Sequence, residues 1–452
     1  MSSLSFAVKN ASKYAYSLIP LEWRLGKEFF RELNFLEKSQ WWSKEELEQY
    51  QNEQLRKLVG HAYNNVPYYS RLFKDSKLSI SDIKTIQDLP KIPLLDKETV
   101  RNNLTRLKAI NFRPSRMIKL NTSGTTGQPL IFYYDRRMRM PGFNGTFLWR
   151  HYGWAGHKVG ERRATLSCWT ITGNRNFIYN PVNRLLVLSA YTLKRENAEK
   201  YADKMAKYQI QYLDGYPSSI ELLTSFLKEK GLKKPPVQLR AIFCWAEYLY
   251  DWQRKNIEDF WGCKCFDRYG LNERVIWGLE CEKHEGLHLI SEFGITEFLD
   301  DDNDKKLKRI IATSLTNYAM PFIRYETGDV GRLLENKCSC VRNFPLFELG
   351  GGRKRNFAIG KDGAYIPVAN IDIPNVSENV LQFQFMQDKK GMLTLSIIKK
   401  PEFQDKDLQK ISTKLFEKFS NNMVIDIRFT DSIYKTNNQK IPIFIQKIEE
   451  LK

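Results

Sequence analysis

The stretch Leu120-Asn121-Thr122-Ser123-Gly124-Thr125-Thr126-Gly127-Gln128-Pro129 decides how the rest of the chain is interpreted. Its two glycines, three residues apart, let the backbone turn so that successive N–H groups point into one concavity. The hydroxyls of Thr122, Ser123, Thr125 and Thr126 add donors, so the stretch can hold an anion the size of a phosphate. It lacks the Gly-Lys-Ser/Thr ending of a Walker A loop. Taken alone it fits a flexible surface turn as well, and the rest of the sequence must decide.

Length and composition indicate a large folded protein. The chain has 452 residues, of which 42% are hydrophobic and 13% aromatic, enough for two or three domains with a substantial core. No run of about 18 apolar residues is present, so no transmembrane helix is expected. The segment 1–20 does not resemble a secretory signal, and seven unevenly spaced cysteines do not resemble a secreted disulfide framework. These features favour a reducing cytoplasm.

The net charge of +19 favours acidic partners. The lysines and arginines are spread along the chain without a recognition-helix or RNA-binding pattern, so a specific nucleic-acid partner is not expected. The first 35 residues mix Phe, Tyr, Leu and Trp with Lys and Arg. This mixture leaves open a peripheral contact with the inner face of an anionic membrane.

The pattern of residues predicts an α/β fold in two domains. Residues 1–100 are mainly helical, and Ser43 with Glu46 forms a capping-box pattern at one helix start. From residue 116, strands and helices alternate, which predicts largely parallel sheets. Residues 286–350 alternate in polarity as in an antiparallel β unit. The run Gly350-Gly351-Gly352 then separates a large N-terminal domain, 1–352, from a small, mobile α+β domain, 353–452.

Two further clusters have the residue types of a nucleotide site. Tyr269-Gly270-Leu271-Asn272-Glu273 pairs a ring able to stack on adenine with a carboxylate able to hold a divalent cation. Tyr325-Glu326-Thr327-Gly328-Asp329 places Asp329 after a tight turn, where it can accept hydrogen bonds from ribose hydroxyls. Each could also be an ordinary turn at a strand end. Three such clusters in this order favour the nucleotide site.

These three motifs resemble those of the adenylate-forming (acyl-AMP) superfamily. The first is similar to its phosphate loop, the second to its Tyr-Gly-x-Ser/Thr-Glu motif and the third to its Tyr-x-Thr-Gly-Asp motif. Within the superfamily the chain resembles the phenylacetate–CoA ligase-like branch, including members from capsule and O-antigen gene clusters. The supporting segments that are similar to that branch are Asn65–Tyr69, Ile92–Lys97 and Cys244–Glu247.

The resemblance implies a two-step reaction. A carboxylate attacks the α-phosphorus of Mg·ATP to give acyl-AMP and pyrophosphate, and CoA or an amine then displaces AMP. The amine would belong to an amino sugar of a surface polysaccharide. The resemblance also implies the residues that bind ATP, AMP and Mg²⁺. The phosphates would be held by Thr122, Ser123, Gly124, Thr125, Thr126 and Gly127, with Asn272 at a phosphate oxygen and Glu273 at magnesium. Adenine would contact Tyr269 and Gly270, ribose would contact Asp329, ribose or phosphate would contact Arg353, and Ala246 with Glu247 would border adenine and the acyl group.

The chain departs from the family pattern at its hinge and near its C-terminus. Arg355 and Asn356 stand where the family has acidic hinge residues, which puts domain rotation between the half-reactions in doubt. Lys440 is the candidate adenylation lysine, with Lys435 as the alternative. A solvated tail lysine is the other reading of Lys440. A second hypothesis is therefore a nucleotide-binding scaffold or pseudoenzyme of a membrane-associated polysaccharide assembly complex.

A separate set of residues has the spacing of zinc ligands. Cys281 and His284 form one chelating pair, and Cys338 and Cys340 form another, which together predict a structural Cys₃His zinc site. His288 can replace His284 in this set, and reduced thiols without a metal are the alternative. The sequence leaves the carboxylic acid, the choice between CoA and an amine, and the oligomeric state undetermined.

Overall fold

A computed structural model describes residues 15–121, 130–138, 143–167, 171, 175–301, 304–350, 357–361, 365–368, 373–435 and 441–448. The predicted phosphate loop (122–129), Arg353 with the hinge residues, and Lys440 lie outside the described residues. The described helices are α1 (Leu21–Ser39), α2 (Lys44–Asn65), α3 (Pro67–Asp75), α4 (Lys97–Asn102), α5 (Phe143–Trp154), α6 (Ala198–Lys207), α7 (Pro217–Glu229), α8 (Asp251–Trp261), α9 (Ile373–Val376) and α10 (Asp405–Phe419).

The described strands alternate with these helices and confirm the α/β class. They are β1 (Met117–Asn121), β2 (Ile131–Asp135), β3 (Arg163–Ser167), β4 (Phe177–Asn180), β5 (Leu185–Ser189), β6 (Tyr212–Gly215), β7 (Ala241–Trp245), β8 (Lys264–Gly270), β9 (Trp277–Glu280), β10 (Leu287–Leu289), β11 (Gly294–Asp301), β12 (Asp304–Ser314), β13 (Tyr325–Leu333), β14 (Leu346–Leu349), β15 (Phe357–Ile359), β16 (Tyr365–Pro367), β17 (Val380–Gln387), β18 (Met392–Lys399), β19 (Val424–Phe429) and β20 (Phe444–Gln446).

The chain divides into two compact units. The first comprises residues 1–161, 180–185 and 266–348, and the second comprises residues 162–179, 186–265 and 349–452. The small unit predicted to start at residue 353 is therefore grouped with an α/β segment, while the chain around the glycine run lies outside the described residues. The boundary at 352/353 stays a prediction.

The first unit begins with the predicted helices. The Ser43 hydroxyl accepts a hydrogen bond from the Glu46 N–H (3.1 Å), and the Glu46 carboxylate accepts one from the Ser43 N–H (2.7 Å), which confirms the capping box at the start of α2. Asn65 ends α2, and Pro67 opens α3 at the helical position where its missing N–H costs nothing. No described helix combines the length and apolar composition needed to cross a bilayer.

A largely antiparallel sheet forms the other part of the first unit. Its strands run in the order β11-β12-β13-β14-β10-β9-β8. The antiparallel pairs are β8 with β9, β9 with β10, β10 with β14, β11 with β12, and β12 with β13. The predicted unit 286–350 thus contains antiparallel strands, and the same sheet also includes β8 and β9, before residue 286, so the bounds of the unit stay a prediction. Strands β8 and β13 carry the second and third motifs.

The second unit contains two cores. Parallel pairing of β3 with β6 and of β6 with β7 builds a sheet whose order continues through β5 and β4, and α6, α7 and α8 contribute to its core. The C-terminal part pairs four strands in the order β19-β18-β17-β20, with α10 covering one face through Ile411, Leu415 and Phe419. Tyr250 and Trp252 pack against this C-terminal core.

Candidate functional site

The second and third motifs meet through a crossed pair of hydrogen bonds. The Tyr269 hydroxyl donates to Oδ2 of Asp329 at 2.9 Å, and the Tyr325 hydroxyl donates to Oε1 of Glu273 at 2.9 Å. Each motif therefore supplies the tyrosine that holds the carboxylate of the other. All four side chains are buried. The structure thus brings together, in the first unit, the three residues predicted to contact adenine, magnesium and ribose.

The turn before Asp329 fixes the direction of its carboxylate. The Asp329 N–H donates to the Thr327 hydroxyl at 3.1 Å, and that hydroxyl donates to the Ile310 carbonyl at 2.8 Å. Gly328 has φ +80°, a left-handed conformation that costs glycine little and other residues more. The turn itself therefore accounts for Thr327 and Gly328, whether or not a ribose binds.

The segment Ile92–Lys97 braces the third motif. The Leu95 N–H donates to the Arg324 carbonyl, and the Glu326 N–H donates to the Leu95 carbonyl, both at 2.9 Å. The Lys97 ammonium donates to the Thr327 carbonyl at 2.9 Å. Sequence reasoning identified this segment by resemblance without a role. Its contacts with residues more than 200 positions away show that it supports the Thr-Gly-Asp turn.

The segment Asn65–Tyr69 supports the chain just before that motif. Tyr69 is fully buried, and its hydroxyl donates to the Pro321 carbonyl and accepts from the Ile323 N–H, each at 3.0 Å. One buried tyrosine thus satisfies two backbone groups of the approach to Tyr325. This is a structural role, which makes Tyr69 a useful comparison for the tyrosines of the site.

The hairpin of β1 and β2 carries the predicted phosphate loop. Its register runs from Met117 opposite Asp135 to Asn121 opposite Ile131, so the two strands lead directly into and out of residues 122–129. Arg274, the residue after Glu273, lies over the Tyr134 ring at 4.1 Å and donates to the Met138 carbonyl at 2.8 Å. The hairpin and the metal-binding candidate Glu273 are therefore joined through Arg274, which sequence reasoning missed.

Gly270 and Asn272 lie on either side of the strand end. Gly270 is the last residue of β8, and Asn272 lies in the turn closed by the hydrogen bond from the Arg274 N–H to the Leu271 carbonyl at 3.0 Å. The roles predicted for both stay predictions.

Ala246 and Glu247 follow β7 in the second unit. Ala246 has φ +66°, unusual for a residue with a side chain. Oε2 of Glu247 accepts a hydrogen bond at 3.1 Å from the N–H of Ser218, in the first turn of α7. A carboxylate is favoured there because the helix N-terminus carries partial positive charge. Glu247 thus has a structural partner that the sequence did not reveal, and its predicted place beside adenine stays a prediction.

Three cysteines and one histidine form a compact cluster in the first unit. The ligand atoms of Cys281, His288, Cys338 and Cys340 all lie within 4.8 Å of one another, and all four residues are buried. The sulfurs of Cys281 and Cys338 are 3.5 Å apart, and the Cys340 sulfur is 3.4 Å from Nε2 of His288. A tetrahedral zinc site has sulfur–sulfur edges of about 3.8 Å, from Zn–S bonds of about 2.3 Å. The cluster therefore fits a zinc ion.

Electrostatics also suit a metal at this cluster. Burial lowers the pKa of His288 to about 4, so its imidazole is neutral at pH 7, the form that binds metals. Burial raises the pKa of the Cys281 thiol to about 11, so without a cation the sulfur keeps its proton. A divalent ion would replace that proton and stabilise the thiolate.

The structure groups His288, and not His284, with the three cysteines, so the candidate ligand set changes from His284 to His288. His284 has φ +55° in the turn after Cys281, its Nδ1 lies 3.4 Å from Oε1 of Glu280, and its ring packs against Phe266. The left-handed turn directs the side chain to these partners, whereas His288, on β10, lies beside Cys340. The alternative kept from the sequence is the one that the structure supports.

Charged and aromatic side chains pack around the cluster. Arg342 lies between the rings of Trp41 and Trp154, at 4.9 and 4.6 Å, and donates to both carboxylate oxygens of Glu282. Leu36 and Leu47 share a hydrophobic core with the three cysteines. The cluster therefore joins the antiparallel sheet to α1 and α2.

Known proteins resemble this chain along most of its length. The family model described as CapK C-terminal domain matches residues 359–447. Protein CapK of Staphylococcus aureus is 25% identical over 413 residues, which cover 88% of this chain and 89% of that protein. The phenylacetate-coenzyme A ligase of Pseudomonas putida is 27% identical over 66% of this chain and 69% of that enzyme.

A solved structure shows the same fold. The 2-hydroxyisobutyryl-CoA ligase in the postadenylation state superposes with a TM-score of 0.71, at 15% identity, over 91% of each chain. The alignments with the two curated relatives add sequence similarity to this shared fold. The chain is therefore similar in sequence to protein CapK and to phenylacetate-coenzyme A ligases, and it shares the fold of an adenylate-forming acyl-CoA ligase.

Proposed function

We propose that this protein activates a carboxylic acid with Mg·ATP and transfers the acyl group to CoA or to an amine. One observation supports this above all: Glu273 and Asp329 are buried together, each oriented by a tyrosine of the other motif. A surface turn with the same residue types would not need this arrangement. The similarity to acid–CoA ligases supports the same reaction class.

In the first step the acid oxygen forms a bond to the α-phosphorus of ATP while the bond to pyrophosphate breaks. No protein nucleophile is needed, so the protein contributes position and charge. Asp329 would accept hydrogen bonds from ribose, and Tyr269 would contact adenine. Glu273 would hold Mg²⁺, for which one carboxylate together with phosphate oxygens is a common ligand set. A bound Mg²⁺ would offset negative charge on the phosphates.

Residues outside the described part of the chain complete the proposal. The loop 122–129 would hold the β- and γ-phosphates, Arg353 would contact ribose or phosphate, and Lys440 would offset charge at the α-phosphate. These roles rest on the resemblance of the sequence motifs. For Lys440 the long cationic side chain is the property that matters.

Carboxylate-dependent exchange of pyrophosphate into ATP tests the proposal. We expect exchange with at least one acid in a panel of aliphatic, aromatic, amino and hydroxy acids. Lys440→Ala should lower its rate by about 100-fold, because the charge of the transition state loses one partner. Lys435→Ala is made in parallel because Lys435 is the alternative candidate: a loss confined to Lys440→Ala supports Lys440, and a loss confined to Lys435→Ala supports Lys435.

The exchange assay also separates the enzyme from the alternative hypothesis. ATP binding without exchange, across the whole panel, would support a nucleotide-binding scaffold or pseudoenzyme. Full exchange by the Lys440→Ala variant would contradict the assignment of that lysine alone.

The acceptor of the acyl group is the second part of the proposal. CoA is supported by the similarity to phenylacetate-coenzyme A ligases. An amino sugar of a surface polysaccharide is supported by the resemblance of the sequence to branch members from capsule and O-antigen clusters. Mass spectrometry of products formed with CoA or with amino sugars distinguishes a thioester from an amide.

The N-terminal segment has a surface suited to peripheral membrane contact. Leu18 and Trp23 are 84% and 81% exposed, and the chain as a whole is strongly basic. We expect the protein to sediment with vesicles rich in phosphatidylglycerol and to be released by about 0.5 M salt, because screening weakens attraction to anionic lipid. The double substitution Leu18→Ser and Trp23→Ser should reduce sedimentation severalfold.

Ile110→Ser is the matched control for this experiment, since Ile110 is an exposed hydrophobic residue elsewhere on the first unit. Equal loss of sedimentation in the control and in the double variant would assign the binding to general surface charge and hydrophobicity. In that case the N-terminal segment would have no special role.

A further inference from the structure

We propose that Tyr325 is a positioning residue that orients Glu273 for the metal-bound nucleotide, an inference that rests on the proposed function. Tyr325 is the first residue of the third motif, and the sequence alone assigns it no role. Its hydroxyl donates to Oε1 of Glu273 at 2.9 Å, and this links the ribose motif to the metal-binding candidate.

The position of Tyr325 is fixed from several sides. Its backbone pairs with Ala312 on β12 and with Leu95 in a parallel bridge. Its side chain is fully buried, and its ring stacks on Phe322 at 4.9 Å with an angle of 26° between the planes. The hydroxyl is therefore presented at one place, and Glu273 occupies that place.

Glu273 needs such a partner because its own backbone is irregular. It lies between β8 and β9, in the turn that the Arg274 N–H closes on the Leu271 carbonyl, and not in a strand. A carboxylate on a turn can rotate, and rotation would move its oxygens away from a cation. A hydrogen bond to Oε1 holds the group, and we assign the second oxygen to the cation. Partners of this kind orient metal ligands in many proteins.

The crossed arrangement makes two roles separable. Tyr269 holds Asp329, the ribose candidate, so its hydroxyl should affect binding of any adenosine nucleotide. Tyr325 holds Glu273, so its hydroxyl should affect only the part of the affinity that depends on Mg²⁺. If losing a buried hydroxyl had only a structural effect, both variants would lose AMP affinity and the Mg²⁺-dependent gain in affinity together.

The test is calorimetric binding of two ligands to three variants. AMP without metal reports on the ribose site. A non-hydrolysable ATP analogue, with Mg²⁺ and with EDTA, reports on the metal-dependent gain. The variants are Tyr325→Phe, Tyr269→Phe and, as a control, Tyr69→Phe, which removes a buried hydroxyl that bonds to the backbone groups of Pro321 and Ile323. Circular dichroism and thermal unfolding establish that each variant folds.

For Tyr325→Phe we expect the Mg²⁺-dependent gain in affinity for the ATP analogue to fall about tenfold, as for other partners of metal ligands. The AMP dissociation constant should stay within about twofold. For Tyr269→Phe the AMP dissociation constant should rise about threefold to tenfold, with the Mg²⁺-dependent gain unchanged, as expected for one lost hydrogen bond to a charged group. Tyr69→Phe should alter neither quantity.

Three other results would overturn the inference. Tyr325 does not position Glu273 if Tyr325→Phe keeps the full Mg²⁺-dependent gain in affinity, or if it loses affinity for AMP and for the analogue equally. The proposed function is then still decided separately, by the exchange assay on the unaltered chain. If the unaltered chain binds the analogue equally well with Mg²⁺ and with EDTA, there is no metal-dependent gain to position. Absence of carboxylate-dependent exchange, with the crossed binding pattern intact, would reject the reaction and keep the positioning role.

Discussion

Replacing Glu273 with Gln is expected to lower the rate of carboxylate-dependent ATP–pyrophosphate exchange by about 100-fold. The amide keeps the size of the side chain, and its oxygen can still accept the hydrogen bond from Tyr325. What it loses is the negative charge that would hold Mg²⁺ against the phosphates. The variant should therefore fold normally and bind AMP nearly as well as the unaltered chain, while its Mg²⁺ requirement rises.

Glu326→Gln is the matched control for this prediction. Glu326 lies in the same motif as Tyr325, but it is half-buried and pairs with Arg309 at 2.8 Å. Removing its charge should change exchange by less than about threefold, since a partly exposed ion pair contributes little. If the two glutamine variants lose activity equally, the loss reflects disturbance of the strand. If Glu273→Gln is fully active at all Mg²⁺ concentrations, Glu273 is not a metal ligand.

The local parts of the site could be predicted from the sequence, whereas the contacts between them could not. The tight turn before Asp329 follows from Thr327 and Gly328, because a glycine is favoured at positive φ. The pairing of Tyr269 with Asp329 joins residues 60 positions apart. It depends on how β8 and β13 are placed in one sheet, and nothing in the spacing of the motifs specifies that.

The same limit applies to the supporting segments. Lys97 reaches Thr327 across 230 positions, and Tyr69 reaches Pro321 across 252 positions. Resemblance marked these segments as features of the branch, yet their role became visible only when their partners were known. The start of α2, by contrast, could be predicted from Ser43 and Glu46, because a capping box is a local signal.

The metal cluster shows why spacing alone was insufficient. His284 and His288 are three and seven residues after Cys281, and both fit a chelating loop. The choice is made by the antiparallel pairing of β9 with β10, which places His288 opposite Leu279. His284 remains in the connecting turn, where its backbone is left-handed.

Loss of the metal from this cluster is expected to destabilise the first unit strongly. We expect the purified protein to contain about one zinc ion per chain, and His288→Ala or Cys338→Ser to remove it. Each substitution should lower the free energy of unfolding by more than about 4 kcal/mol, because metal binding to a site absent from the unfolded chain adds directly to folding. The cluster shares a core with Leu36 and Leu47, so α1 and α2 should become more susceptible to proteolysis.

His284→Ala is the control that makes the zinc prediction specific. It removes a histidine three residues from Cys281 that the structure places against Glu280 and Phe266, outside the cluster. Elemental analysis should find zinc retained in this variant and lost in His288→Ala. Zinc loss from His284→Ala alone would restore the assignment made from spacing. If protein prepared with zinc and protein prepared without it unfold at the same temperature, the cysteines are reduced core thiols. Burial alone then accounts for the raised pKa values of Cys281 and Cys338.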